Sequence, residues 1–164
     1  MGELETVEHT RDRGLIITVY FEQRTGSAST SDYSPTSVKD TVQAACRIAE
    51  YTEADSCNGL ADPDRLATDF PNLDLFHPWN PSVDDACDMA LECEQTAMDY
   101  DRRIENSEGA SVSSHEGHEV YATTSGFWGE SRQTRHGLSC SVIGRDDSGM
   151  QRDYWFSSSR QAAQ

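Results

Sequence analysis

The chain has 164 residues, 35% of them hydrophobic, which is enough for one ordinary domain or parts of two around a lean core. Its 29 acidic and 13 basic side chains leave a formal charge of −16, a surface that repels phosphate backbones and argues against direct nucleic-acid binding. The acidic opening MGELETVEHT has no signal-peptide character and the run LIITVYF is far too short to span a bilayer, so a soluble, cytoplasmic chain without membrane contact is expected. Lys39 is the only lysine, and this Asp-rich, Lys-poor balance would also suit a salt-adapted source.

In chain order, ELETVEHT, LIITVYFE and the short SAST read as strands, separated by RDRG and by a turn through Thr25-Gly26. No helix-length segment divides them, so an antiparallel meander is the natural pairing. The period then changes. Ser34 as N-cap and Pro35 at the first helical position open a helix whose stripe runs through Val38, Val42, Ala45 and Ala49, widened by Cys46 and Ile48. Four prolines, Pro63, Pro71, Pro78 and Pro81, make the next stretch an extended connector, and its apolar residues (Leu60, Leu66, Phe70, Leu73, Leu75, Phe76, Trp79) predict that it packs on the body. Ser82 starts a second helix, with Asp84 and Asp85 in its first turn. Its stripe is Ala86, Ala90, Cys93 and Ala97, with Met89 beside it and Tyr100 completing it, and Arg102 and Arg103 are placed to meet its carbonyl end. Strands follow: GASVSS and EVYATT around HEGH, then GLSCSVIG and MQRDYWFSSS around RDDSG. The predicted class is α+β, antiparallel β-sheet layers with two main helices packed on them. The expected division is 1–55, a β-meander plus helix; 56–81, a Pro-rich connector; and 82–164, a helix plus hairpins.

Chemistry is sought first in SSHEGHEV, where His115, Glu116, His118 and Glu119 crowd together. A His-Glu-x-x-His zinc helix needs histidines four apart, and these are three apart around Gly117. A hairpin with Glu116-Gly117 as its turn fits better, and it would set His115 and His118 on one sheet face with Cβ atoms roughly 5 Å apart. That pair could hold a metal only with a third ligand, for which His136 is the candidate, so a metal-binding hydrolase built on His115, His118 and His136 stands as the alternative to an exposed turn. No Ser sits in a nucleophile-elbow signature, and GSAST lacks the helix start and Lys of a phosphate loop. The five cysteines, Cys46, Cys57, Cys87, Cys93 and Cys140, have no zinc-ribbon or redox spacing and read as small buried hydrophobes. Trp155, with Phe127 and Trp128, suggests a contact surface. A free-standing acidic module that binds a basic partner is a third reading.

Together, GLIITVYFEQRTGSASTSDYSP, TVQAACRIAEYTEAD, LDLFHPW, RIENSEGASVSSHEG, TRHGLSCSVIG and MQRDYW resemble the TldD/TldE (PmbA) metallopeptidase family, and MQRDYW favours its TldE/PmbA branch. The resemblance runs from about residue 3 to residue 160. It implies a cytosolic protease of two related subunits, linked to peptide maturation and proteolysis and formerly described as a modulator of DNA gyrase. In it, zinc belongs to a His-Glu-x-x-x-His helix of the TldD-like partner, and the TldE-like subunit is non-catalytic. It also implies that the chain is a fragment, lacking an opening helix and strand and a C-terminal β-rich domain. No catalytic, cofactor-binding or metal residue is carried over. The implied partners are a TldD-like subunit or a second copy, with peptides or unfolded proteins as substrates of the complex.

Overall fold

A computed structural model describes residues 2–162. Two compact units emerge, one of residues 8–68 and the other of residues 2–7 with 69–162. Both are antiparallel sheet plus one long helix, the expected α+β class.

In the first unit, β1 (Leu15–Phe21) and β2 (Arg24–Thr30) form a hairpin against α1 (Pro35–Tyr51). The turn is Glu22-Gln23, not Thr25-Gly26 as the sequence suggested. Both turn residues have positive φ, 48° and 64°, the tight reversal that matches strand twist. The Gln23 carbonyl accepts from the Asp55 N–H at 2.9 Å and from Asn58 Nδ2 at 3.2 Å, which anchors the turn to the loop after α1.

Gly26 is thereby freed for another task, because a Cβ there would lie 2.1 Å from the Ala45 carbonyl oxygen and 2.5 Å from the Ala49 nitrogen. The helix therefore seats backbone to backbone on β2. Its buried seam is Thr41, Ala45 and Ala49, the last two 0% and 1% exposed. The wider stripe predicted from Val42, Cys46 and Ile48 is displaced, and all three are exposed. A seam of small residues lets the backbones approach, and bulky ones would hold them apart.

Ser34 caps α1 as expected, and Asp32 reinforces the cap by accepting from the Ser34 N–H at 2.8 Å and the Ser37 hydroxyl at 2.6 Å. These bonds, that of Ser37 foremost, hold the Asp32 carboxyl below its usual range. The strand expected over residues 3–10 is not formed. Those residues are exposed and have no partner strand among the described residues.

The second unit carries α2 (Val83–Asp99) on a three-stranded meander, β3 (Ile104–Ala122), β4 (Trp128–Asp146) and β5 (Gly149–Ser159). Ser82 and Asp85 complete a capping box: the Asp85 N–H donates to Ser82 Oγ, and the Ser82 N–H to Asp85 Oδ2, each at 3.1 Å. Ala86, Met89, Ala90, Cys93 and Ala97 make the half-buried face, whereas Tyr100 points away at 87% exposed. Arg103 does not meet the helix carbonyls. Its guanidinium takes both Asp101 oxygens, at 2.9 and 3.0 Å, and this pairing holds the Asp101 carboxyl down to about 2.

The largest departure is at HEGH. β3 runs straight through it for 19 residues, pairing His115 with Arg135, Glu116 with Thr134, Gly117 with Gln133 and His118 with Arg132. Reversal comes at Thr123–Phe127 instead, where Gly126 takes φ +93° and the Thr123 N–H donates to the Phe127 carbonyl at 2.9 Å. The Asp147-Ser148 turn within RDDSG forms as expected, Asp146 accepting from the Ser148 N–H at 2.9 Å.

Candidate functional site

Continuous strand disperses the three histidines. Successive side chains along β3 alternate faces and rise ~3.3 Å per residue. His115 and His118 therefore point to opposite faces, roughly 10 Å apart along the strand. His136 pairs opposite Ser114, on the His118 face but about 13 Å further along.

Each ring also has its own neighbour. His118 Nε2 meets Glu130 Oε2 at 3.1 Å in an exposed pair. His136 is 4% exposed, with Nε2 2.9 Å from the His77 carbonyl oxygen and Nδ1 3.1 Å from Ser114 Oγ. A carbonyl only accepts, so Nε2 carries a proton, and Nδ1 is occupied by the serine hydroxyl. Neither nitrogen is open to an ion. These residues do not fit a zinc site, and among the described residues no group of three or more His, Cys, Asp or Glu is arranged to hold one. This removes the geometric basis of the hydrolase alternative.

Ser114 and His136 have the spacing of a nucleophile and its base, but the surroundings are wrong for that chemistry. A catalytic pair is oriented by a third group, usually a carboxylate. Here the third group is a main-chain carbonyl, and the Ser114 hydroxyl is shared with the Trp79 carbonyl at 3.0 Å. Trp79 itself stacks edge-on against His136 at 5.4 Å between ring centroids.

What the residues build is a buckle that fastens the segment 69–81. Thr134, 3% exposed, lies just past the point where β5 stops pairing with β4. Its N–H donates to the Leu75 carbonyl at 2.9 Å, its hydroxyl oxygen accepts from the His77 N–H at 2.9 Å, and the hydroxyl donates to the Arg160 carbonyl at 2.9 Å. Leu75 to His77 thus take the place along β4 that β5 vacates. Phe76 beneath the Arg132 guanidinium at 5.4 Å and Phe70 against Phe127 at 6.0 Å extend the contact. The apolar residues of the connector announced that it packs. The roles of Thr134 and His136 were not visible, because WGESRQTRH does not read as a strand.

The remaining predicted features are quickly placed. Trp155 is 82% exposed on β5, next to exposed Tyr154 and Phe156. None of the cysteines is buried as expected: Cys46 and Cys57 are exposed, and Cys87, Cys93 and Cys140 are half-buried. Among the described residues no helix is long and apolar enough to cross a membrane.

Comparison with known proteins supplies the context for this architecture. Residues 1–49 match the PmbA/TldA metallopeptidase domain 1, and residues 76–164 match the PmbA/TldA metallopeptidase central domain. The chain is 46% identical over 161 residues to the metalloprotease PmbA homolog of Haemophilus influenzae, covering 98% of this chain and 36% of the relative. It is also 46% identical over 159 residues to metalloprotease PmbA of Escherichia coli O157:H7, covering 97% and 35%. It therefore spans about a third of the length of these curated relatives.

Among solved structures, a proposed modulator of DNA gyrase from Bacteroides thetaiotaomicron superposes with a TM-score of 0.80 at 28% identity, over 92% of this chain and 35% of that one. TldE from Thermococcus kodakarensis shares the fold at a TM-score of 0.71 and 16% identity, over 98% and 36%. Two matched domains in order, nearly half the residues identical along almost the whole chain, and a shared fold lead to one statement: the chain belongs to the PmbA/TldD metallopeptidase family.

Proposed function

We propose that this chain is part of a TldE/PmbA-like subunit, the non-catalytic partner in a cytoplasmic TldD/TldE-type zinc metallopeptidase that matures peptides and degrades unfolded proteins. The observation that carries the reading is how the histidine-rich strand is used. His136 has both nitrogens committed to Ser114 and a main-chain carbonyl, His118 is paired with Glu130, and His115 faces the other way. These side chains serve the sheet and leave metal chemistry to the TldD-like subunit.

In this role the long hairpin supplies wall and contact surface. β3 lies at the edge of its sheet, so its outer main-chain groups are placed to hold an extended segment by strand addition. Proline on that edge removes a donor and should weaken peptide turnover by the complex without unfolding this chain. Size-exclusion chromatography with a TldD-like subunit tests the assignment. A stoichiometric complex supports it, and two separate peaks at micromolar concentrations refute it.

A further inference from the structure

We propose that Asn58 is a self-modification site: the Gly59 main-chain nitrogen displaces the Asn58 side-chain amide, and the aspartate and isoaspartate that result release the β1–β2 turn from the loop after α1. The inference is independent of the subunit reading. Asn58 is followed by glycine, so no Cβ shields the attacking nitrogen. Gly59 is exposed, and nothing lies within 4 Å of where a Cβ would stand, so the peptide has room to turn. Its N–H donates to no protein group among the described residues. The nitrogen can therefore react without first breaking a secondary-structure bond.

The other asparagines lack this combination. Asn72 precedes Leu73, whose branched side chain crowds the nitrogen, and Asn80 precedes Pro81, whose nitrogen carries no proton. Asn106 precedes Ser107 and is paired with Ile143 inside the sheet. Asn58 itself is held by two bonds, its N–H to the Asp55 carbonyl at 2.9 Å and its Nδ2 to the Gln23 carbonyl at 3.2 Å. The second is exposed, and a neutral hydrogen bond of that kind contributes little net free energy. Its opening frees the side chain to bring Cγ onto the Gly59 nitrogen.

The step balances. Hydroxide takes the Gly59 N–H proton, the nitrogen attacks Asn58 Cγ, and the Cγ–Nδ2 bond breaks. The leaving nitrogen takes a proton from water and departs as ammonia, which restores the hydroxide, and a cyclic succinimide remains. Water then adds to either ring carbonyl and the ring C–N bond on that side breaks, giving isoaspartate or aspartate. Nothing is oxidised or reduced; water is consumed and ammonia released. The lost atom, Nδ2, is the donor to the Gln23 carbonyl. A carboxylate only accepts, so the product faces that carbonyl with no hydrogen between them, in a loop that already carries Glu53 and Asp55. The Asp55 N–H, at 2.9 Å, is left to hold a turn residue whose φ is 64°.

The test uses the full chain, folded, incubated in mildly alkaline buffer and sampled over days. Digests are read by mass spectrometry with electron-transfer fragmentation, which distinguishes isoaspartate from aspartate. The expected result is loss of the amide at Asn58, with both products formed and isoaspartate in excess, while Asn72, Asn80 and Asn106 keep theirs. Gly59→Ala should slow the loss severalfold. Asn58→Asp, which carries the charge without lengthening the main chain, should exchange the Asp55 amide hydrogen severalfold faster than the parent, with β3 and β4 unchanged. A folded chain that keeps its Asn58 amide while the same chain in urea loses it would overturn the site, as would equal rates in Gly59→Ala and the parent. An Asp55 amide equally protected in Asn58→Asp and the parent would overturn the release of the turn. Peptide mapping of the parent, folded and in urea, decides the site even if a variant folds poorly.

Discussion

Gly26→Ala perturbs the closest approach in the first unit. The added carbon would sit 2.1 Å from the Ala45 oxygen, 2.5 Å from the Ala49 nitrogen and 3.1 Å from the Ala49 Cα. All three are main-chain atoms of α1, so no rotamer change relieves the clash. The helix must lift by about 1 Å, which breaks the contact of a seam that buries Ala45 and Ala49 almost completely. Overpacking of this kind costs about 1–3 kcal/mol. The rigidity of both partners puts the expected loss at the upper end, ~3 kcal/mol, a large part of the ~5–15 kcal/mol that holds a domain folded. Amide hydrogen exchange is the suitable assay, because the tryptophans, Trp79, Trp128 and Trp155, all lie outside residues 8–68. Protection across residues 35–51 should fall by about two powers of ten, as ~3 kcal/mol requires, while protection in β3 and β4 is unchanged. Gly14→Ala is the control, since nothing lies within 4 Å of the carbon it adds. Equal protection in Gly26→Ala and Gly14→Ala would refute the backbone-to-backbone account of this unit.

Three further outcomes follow from named contacts. Thr134→Val keeps the shape but strands the His77 N–H and the Arg160 carbonyl, so a loss of about 1–3 kcal/mol is expected, with amide protection at His77 collapsing first; an unchanged His77 amide would contradict the buckle. Gln23→Gly relieves a residue held at φ +64°, and a gain of about 1 kcal/mol in the urea-unfolding free energy is expected; a loss would mean the turn is not left-handed there. Asp101 titrates at about 2 because Arg103 pairs with it. A carboxyl depressed in the folded state stabilises above its ordinary value of 3.8 and loses that contribution as pH falls through about 2. NMR titration of the side-chain carboxyl should show the low midpoint, moving toward 3.8 in Arg103→Ala, and a midpoint already near 3.8 in the parent would remove the pair.

Local chemistry was legible where it decides the structure alone. Ser34-Pro35 and Ser82 with Asp85 start helices through contacts within one turn, and both helices begin where these residues place them. Long-range pairing was not. HEGH and TTSG each offer a glycine for a reversal, and the choice depends on what each flank pairs with. The polar run WGESRQTRH gave no strand signal, because only Thr134 and His136 in it are buried; once it pairs with β3, the reversal must fall at Gly126. The same error created the apparent histidine pair, since moving the turn puts His115 and His118 on opposite faces. Small-residue packing was legible in part. Hydrophobic periodicity placed Ala45 and Ala49 in the stripe but counted Val42 and Ile48 with them, whereas contact with Gly26 selects the two alanines. Family resemblance filled what periodicity could not, because ordered matches along most of the chain carry information that no single motif holds.

The account stands on the histidine-rich strand being architectural while zinc chemistry resides in a partner. Metal content and peptide cleavage, measured on this chain alone, on a TldD-like subunit alone and on the two together, test that directly. Zinc and cleavage should follow the TldD-like subunit, with His115→Ala and His118→Ala in this chain changing neither. One zinc per chain bound by this protein alone, lost in those variants together with peptide cleavage, would contradict it.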